Sequence, residues 1–279
     1  MNWKNLCNKS TIGTGVFTLT VICIACLAIV YSQRKQAVET FSPNIFNPKN
    51  LPVYCVDTSE PKIALSFDAA WGNEDTKKIL KVLKEKDIKV TFFMTGGWIE
   101  SYPDDVKAIA KDGHELGNHS ENHKQMSTLS AEECKKEIMT PHEKVKKLTG
   151  VDMTVFRPPY GDYNDTLIGC VQECGYHAVQ WDVDSLDWKD YGVDSIINTV
   201  LGHKHLDNGS IILCHNGAKY TAQALPKLID GLKEKGFTFV TMSDLIYDGA
   251  CEIDVEGRQH PLNTPDAAAD SPAPTAASH

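Results

Sequence analysis

Several side chains that can carry acid–base or metal chemistry stand at the ends of apolar runs in this sequence. They are, in chain order, Asp68, His119, Arg157, Asp182, Asp184 and His215. One polar residue at the end of a strand is an ordinary cap or loop residue. Ionisable groups at several strand ends, however, would converge on one rim of a sheet or barrel, which is the usual place for an active site.

Two pairs of these residues have a spacing that indicates a shared environment. His119 and His123 are four residues apart, which on a helical turn or a tight loop puts both imidazoles within reach of one zinc-like ion. Histidines at this spacing also occur by chance on solvated helices. Leu213 and His215 are two apart on one strand face, so both would face one cavity. A buried histidine with a satisfied hydrogen bond fits that spacing equally well.

The run "KIALSFD" predicts how Asp68 is presented. Strand side chains alternate, so the bulky residues Ile63, Leu65 and Phe67 share one face. Ala64, Ser66 and Asp68 share the other. We expect the bulky face to pack under helices and the small face to look into a barrel, with Asp68 at the carboxyl end of the strand.

The elements that would position these residues alternate between strand-like and helix-like runs across residues 53–249. Repeated strand–helix units favour an α/β fold with a parallel sheet. About seven such units in roughly 200 residues predict a closed or nearly closed (β/α) barrel.

Outside this domain the sequence changes character. Residues 11–32 carry no charge and are long enough to cross a membrane. We interpret them as a single-pass signal anchor rather than a cleaved signal peptide, with residues 1–10 as a cytoplasmic tail and the domain outside the cell membrane. Residues 33–52 are predicted to be a linker, and residues 250–279 a disordered tail rich in Ala, Pro and Ser.

The overall charge limits the partners. The formal net charge of −9 and the pI near 5.6 argue against a nucleic-acid partner, because phosphate binding requires a basic face. The six cysteines beyond the N-terminal apolar segment show no zinc-binding pattern. Cys170 and Cys174 are interpreted as small core residues, and extracellular disulfides stay open as an alternative. The oligomeric state is open.

Five short motifs occur in order: "SFDAAWG", "HSENH", "RPPYG", "DSLDW" and "LCH". Together they resemble the five motifs of the NodB-like polysaccharide deacetylases, carbohydrate esterase family 4, and are most similar to the sporulation-type deacetylases of Gram-positive spore formers. The resemblance implies a distorted (β/α) barrel. It also implies hydrolysis of acetyl groups from N-acetylglucosamine or N-acetylmuramic acid in peptidoglycan or chitin-like oligomers.

The resemblance further implies roles for the ionisable residues. His119 and His123 would bind a divalent metal, expected to be zinc, and Asp68 would be the general base, oriented by Arg157. His215 would be the general acid. These residue types suit amide hydrolysis, since a metal polarises the carbonyl, a carboxylate takes a proton from water and an imidazolium protonates the departing amine.

Supporting roles follow from the same resemblance. Asp187 would tune the basicity of His215. Trp188 and Leu213 would form the wall of an acetyl pocket, and the backbone N–H of Tyr160 would help to bind the oxyanion, a contribution of a few kcal/mol at most sites of this kind.

One position departs from the family pattern. The first motif usually carries a second acid that is the third metal ligand, and here that position is Ala69. Either Glu74, Asp75, Asp184 or Glu121 substitutes, or metal affinity is low, or catalysis is impaired. The alternatives to a cell-wall deacetylase are therefore a catalytically weak glycan-binding protein in envelope or spore assembly, and a hydrolase of a small non-sugar amide. Trp71 and Trp98 fit either sugar stacking or a core role.

Overall fold

The computed structural model describes residues 50–262. The predicted cytoplasmic tail, the anchor at 11–32, all but the end of the linker, and residues 263–279 lie outside these described residues. Within residues 50–262, no helix is both long enough and apolar enough to cross a membrane.

The main sheet is a parallel half-barrel. Its strands run in the order β6-β5-β4-β3-β2-β8-β7, and β9 pairs with the first residues of β2 on the β3 side. The bounds are β2 Lys62–Ala69, β3 Thr91–Met94, β4 Glu115–Asn118, β5 Val155–Phe156, β6 His177–Ala178, β7 Val183–Asp184, β8 Ile211–His215 and β9 Thr238–Val240. This arrangement agrees with the predicted distorted (β/α) barrel.

Helices cover the outer face of the sheet. Their bounds are α1 Thr76–Glu85, α2 Gly96–Ser101, α3 Pro103–Lys111, α4 Ala131–Thr149, α5 Asp165–Glu173, α6 Val193–Leu201, α7 Thr221–Glu234 and α8 Met242–Leu245. The longest helix, α4, has clear local signals. Ser130 and Glu133 form a capping box at its start, and Gly150 ends it in the left-handed conformation.

The two faces of β2 pack into different apolar clusters. Ile63, Leu65 and Phe67 belong to the large cluster between sheet and helices. Ala64 packs with residues inside the barrel, among them Phe93. The predicted alternation is therefore confirmed, and it leaves Asp68 on the barrel side at the end of the strand.

The run "HAVQWDV" looks like one strand in the sequence, but it forms two, β6 and β7. β6 and β7 lie at opposite ends of the sheet order and do not pair with each other. Between them the chain pairs instead with the start of the domain, since Val179 bridges to Val53 and the Gln180 N–H donates to the Val53 carbonyl at 2.7 Å. This crossing is where the barrel stays open.

The structure also differs from the predicted disordered tail at its start. β10 (Cys251–Ile253) and β11 (Arg258–Pro261) form a second, three-stranded sheet with β1 (Cys55–Val56). Gln259 is buried there, and its side-chain amide exchanges two hydrogen bonds of 2.9 Å with the backbone of Tyr247. Composition alone favours disorder for this polar segment, but pairing with a distant strand stabilises it.

Candidate active site

A cavity of about 620 Å³ opens at the carboxyl ends of the parallel strands. Seven predicted site residues line it: Asp68, His119, His123, Tyr160, Trp188, Leu213 and His215. Arg157 and Asp187 lie behind this lining and are buried. The structure therefore brings together all nine residues that the motifs single out.

Strand register explains why Asp68 and His215 face the same space. β2 and β8 are parallel neighbours, and Asp68 and His215 are partners in that register. Leu213 on β8 is two residues earlier on the same face and also lines the cavity. The expectation that Leu213 and His215 share one cavity is thus confirmed.

Asp68 is a buried carboxylate held in its ionised form. Arg157 Nη1 donates a hydrogen bond of 2.8 Å to Asp68 Oδ1, and His119 Nε2 lies 3.5 Å from Oδ2. Burial by itself raises the pKa of Asp68, but the charges of Arg157, His119 and His215 outweigh it and lower that pKa below its usual value. Asp68 therefore stays ionised to lower pH than a free aspartate.

Arg157 is fully buried and fixed by three contacts. Besides its bond to Asp68, its Nη2 donates to the Gln180 carbonyl at 3.0 Å. Its guanidinium also lies over the ring of Phe93, 4.1 Å from the centroid. These contacts hold the guanidinium in one orientation, and the Asp68 carboxylate with it.

His119 and His123 lie on a tight loop after β4, as their spacing predicts. Ser120 and His123 have positive φ angles of 66° and 53°. The Ser120 N–H donates to Asn118 Oδ1, and the His123 N–H donates to Ser120 Oγ, each at 3.0 Å. The two imidazole centroids are consequently 4.9 Å apart.

Both imidazoles suit metal ligation. His119 Nδ1 contacts the Arg157 carbonyl at 2.8 Å, so Nδ1 carries the proton and the Nε2 lone pair is free. Burial, followed by the closeness of the His119 imidazole, lowers the pKa of His123 to about 4, which keeps it neutral. His123 Nδ1 is buried and has no hydrogen-bond partner among the described residues. Two neutral nitrogen donors therefore fit a divalent ion.

A third side-chain ligand is not evident. Within the described range, no group of three His, Cys, Asp or Glu residues is placed to hold a metal ion. Ala69 is fully buried in the cluster between sheet and helices, while its neighbour Ala70 lines the cavity. Of the four proposed substitutes only Asp184 lines the cavity, and Glu121 instead contacts Lys144 at 2.5 Å.

On the opposite side, Asp187 holds His215. Asp187 Oδ1 lies 2.7 Å from His215 Nδ1, and Oδ2 accepts bonds from the His215 N–H at 2.7 Å and from Thr221 Oγ1 at 2.6 Å. Burial lowers the pKa of His215, but the hydrogen bond and charge of Asp187 outweigh it and raise that pKa. His215 therefore keeps its proton to higher pH than a free histidine.

Comparisons with known proteins agree with this geometry. The polysaccharide deacetylase family profile matches residues 56–179. The peptidoglycan-N-acetylglucosamine deacetylase of Bacillus cereus is 36% identical over 191 residues, 67% of this chain and 69% of that protein. The peptidoglycan-N-acetylmuramic acid deacetylase PdaA of Bacillus subtilis is 34% identical over 203 residues, 70% of this chain and 75% of that protein.

This chain belongs to the polysaccharide deacetylase family, carbohydrate esterase family 4. The family predicted from the motifs is thereby confirmed, and with it the enzyme class, hydrolases that cleave an N-acetyl amide. Among solved structures, a family pseudoenzyme from Bacillus anthracis superposes with a TM-score of 0.67 at 29% identity, covering 76% of this chain and 73% of that one.

Exposed aromatic rings surround the mouth of the cavity in this family member. Trp71 is 64% exposed, and its ring packs 4.8 Å from that of His123, while Tyr160 packs on His123 at 4.5 Å. Trp98, by contrast, is only 2% exposed, and its Nε1 donates to the Gly72 carbonyl at 2.7 Å. Trp71 is therefore a rim residue and Trp98 a core residue.

Sequence reasoning missed some residues of this polysaccharide deacetylase site and misplaced one. Trp181 and Asn216 line the cavity. Asn216 directly follows His215, and that position was a usable signal. Asp182 was expected at the rim, but it accepts bonds from the Ile211 N–H and Ser210 at the start of β8, because it precedes β7 instead of ending a strand.

Proposed function

We propose that this chain hydrolyses N-acetyl groups of peptidoglycan, with Asp68 as general base and His215 as general acid. One observation carries the proposal: the two residues face one cavity from paired strand positions, and their pKa values are shifted in opposite directions. A base that stays ionised and an acid that stays protonated at neutral pH are the pair that amide hydrolysis requires. The named relatives act on peptidoglycan sugars, which supports this substrate class.

In the proposed reaction, a water molecule loses a proton to Asp68 while its oxygen bonds to the acetyl carbon. The carbon–nitrogen bond then breaks, and His215 gives its proton to the departing amine, so that acetate and a free amino sugar result. Trp188 and Leu213 would contact the acetyl methyl, and the Tyr160 N–H would donate to the oxyanion.

His119 and His123 would hold the divalent ion, expected to be zinc. When bound, such an ion polarises the carbonyl oxygen and lowers the pKa of water. With only two imidazole ligands we expect weaker binding than at a site with three protein ligands.

A second function is favoured by Ala69. An impaired deacetylase that binds glycan would keep the fold and the aromatic rim without full turnover. The B. anthracis pseudoenzyme has a related fold, and a mutant of it with restored enzymatic activity is known. The resemblance to sporulation-type deacetylases supports a role for either function in the envelope of a spore former.

An assay on N-acetylglucosamine oligomers and peptidoglycan, with and without chelator, tests the proposal. Chelator-sensitive acetate release is expected. Glycan binding without acetate release would favour the glycan-binding protein. Release from small amides alone would favour a hydrolase of a small non-sugar amide.

We also propose that residues 11–32 anchor the chain, leaving the domain outside the cell membrane, where its substrate lies. Fractionation of cells and sequencing of the N-terminus test this. A soluble product that begins after residue 32 would contradict it.

A further inference from the structure

The loop that carries His119 and His123 is held from outside by one buried carboxylate, Glu137 of α4. Glu137 is only 4% exposed. Its Oε2 accepts a bond of 2.8 Å from the Asn122 backbone N–H, and its Oε1 accepts one of 2.8 Å from Asn122 Nδ2. Lys124 Nζ lies 2.9 Å from the same Oε1. Glu137 thus contacts the residue before His123 and the residue after it.

These contacts matter because the loop adopts a backbone that is unfavourable for its residues. Ser120 and His123 have side chains and yet lie in the left-handed region. Such conformations persist only where the surroundings determine them. Inside the loop, the side chains of Asn118 and Ser120 accept bonds from the Ser120 and His123 N–H groups. Outside the loop, three donors from the residues on either side of His123 converge on Glu137.

Two further contacts join this part of the chain to the same helix. Lys144 of α4 contacts Glu121 at 2.5 Å, and the Ile138 carbonyl of α4 accepts a bond of 2.7 Å from Asn118 Nδ2. A capping box fixes the start of α4. Among these ties, only Glu137 contacts both neighbours of His123.

We infer that Glu137 is a positioning residue that sets the His123 imidazole against His119. It touches neither substrate nor the reacting atoms, and its effect passes through Asn122 and Lys124. The inference rests on the proposed function, since the two imidazoles act there as metal ligands. Residues that orient ligands in this way typically change metal affinity or activity by about 10- to 100-fold when substituted.

The test compares wild type with Glu137→Gln, the double variant Glu137→Gln/Asn122→Asp, and the control Glu143→Gln. A glutamine at position 137 has one acceptor oxygen for the three donors, and whichever way its amide is turned, the NH2 group faces at least one of them. In the double variant the polarity is exchanged, because the new amide group can donate to the carboxylate introduced at position 122. Glu143 is an exposed carboxylate on the same helix.

The readouts are zinc affinity by titration calorimetry, the kcat and KM for acetate release, amide exchange of residues 119–124, and urea unfolding. Glu137→Gln is expected to lower zinc affinity about 10- to 100-fold, to lower kcat more than it changes KM, and to speed amide exchange. The double variant should recover most of the zinc affinity and of the exchange protection, and Glu143→Gln should match wild type.

Wild-type zinc affinity and loop exchange in Glu137→Gln would overturn the inference, and so would a double variant no better than the single one. If wild type itself takes up no zinc, the proposed metal chemistry fails, and loop exchange alone decides the role of Glu137. If Glu137→Gln does not fold, Asn122→Ala takes its place, because it removes one donor to Glu137 without a substitution in α4. The same changes in zinc affinity and amide exchange are expected, but they should be smaller.

Discussion

The two sides of the cavity differ in how completely the protein satisfies its own polar groups. On the acid side, the Asp187 carboxylate accepts three hydrogen bonds and fixes His215. On the histidine-loop side, His123 Nδ1 is buried without a partner among residues 50–262, and Ala69 contributes only a methyl group. The Asp187 carboxylate is thus fully paired within the protein, whereas one nitrogen of His123 has no partner among residues 50–262.

This difference separates two properties of the site. In the proposed mechanism, proton delivery would depend on the short, buried contacts between Asp187 and His215. Water activation would depend on the two imidazoles and on how well the loop keeps them together. Substitutions on the acid side should therefore change pH dependence, and those on the loop side should change metal dependence.

The substitutions with the largest expected effect test the proposed catalytic pair. Asp68→Asn keeps an oxygen for Arg157 but cannot take a proton, and His215→Ala removes the proton donor. Each should reduce kcat by roughly 100- to 10,000-fold, the usual contribution of general acid–base groups. Near-normal turnover in either variant, with an unchanged circular dichroism spectrum, would contradict the assignment.

The next test concerns the missing ligand. An aspartate at position 69 must leave the apolar cluster and turn to the imidazoles, or stay buried at a cost in stability. We expect Ala69→Asp to raise zinc affinity by about tenfold or more, equivalent to ~1.4 kcal/mol. The variant should be less stable than wild type without zinc and regain stability when zinc is added.

Competition titration against a chelator measures this affinity, and Ala70→Asp is the matched comparison because Ala70 lines the cavity. Lost stability without any gain in affinity would show that position 69 cannot reach the imidazoles. Equal, tight binding in wild type and variant would show that another residue already completes the ligand set.

Asp187→Asn tests the acid side through pH. Asp187 raises the pKa of His215 against the effect of burial, so its loss should lower that pKa and move the alkaline limb of kcat/KM to lower pH. At pH values above the limb, kcat/KM of the variant should be about tenfold below that of wild type for each pH unit by which the limb moves. Asp190 lines the same cavity without contacting His215, so the control Asp190→Asn should leave the pH profile unchanged.

The smallest effect is expected from Thr221→Val, because valine has nearly the same shape as threonine. The change removes one of three donors to Asp187 and should cost about 1 kcal/mol of unfolding free energy. With less competition for its charge, Asp187 should hold the His215 proton more tightly and move the alkaline limb slightly upward. A downward shift, as in Asp187→Asn, would mean that Thr221 keeps Asp187 in place.

Much of this protein follows from its sequence because the decisive signals are local. Strand alternation alone put Asp68 on the barrel side of β2 and the bulky residues under the helices. The spacing of Leu213 and His215 placed both in one cavity. Short-range geometry fixes such features, whatever the rest of the chain does.

Tertiary structure decided the features that depend on partners far along the chain. It split "HAVQWDV" into strands at opposite ends of the sheet, and it paired the polar segment of β10 and β11 with β1. It also separated exposed Trp71 from buried Trp98. Above all, it brought Glu137 of α4 against Asn122, because the environment of a side chain depends on which elements pack together, and the sequence pattern around a residue does not specify them.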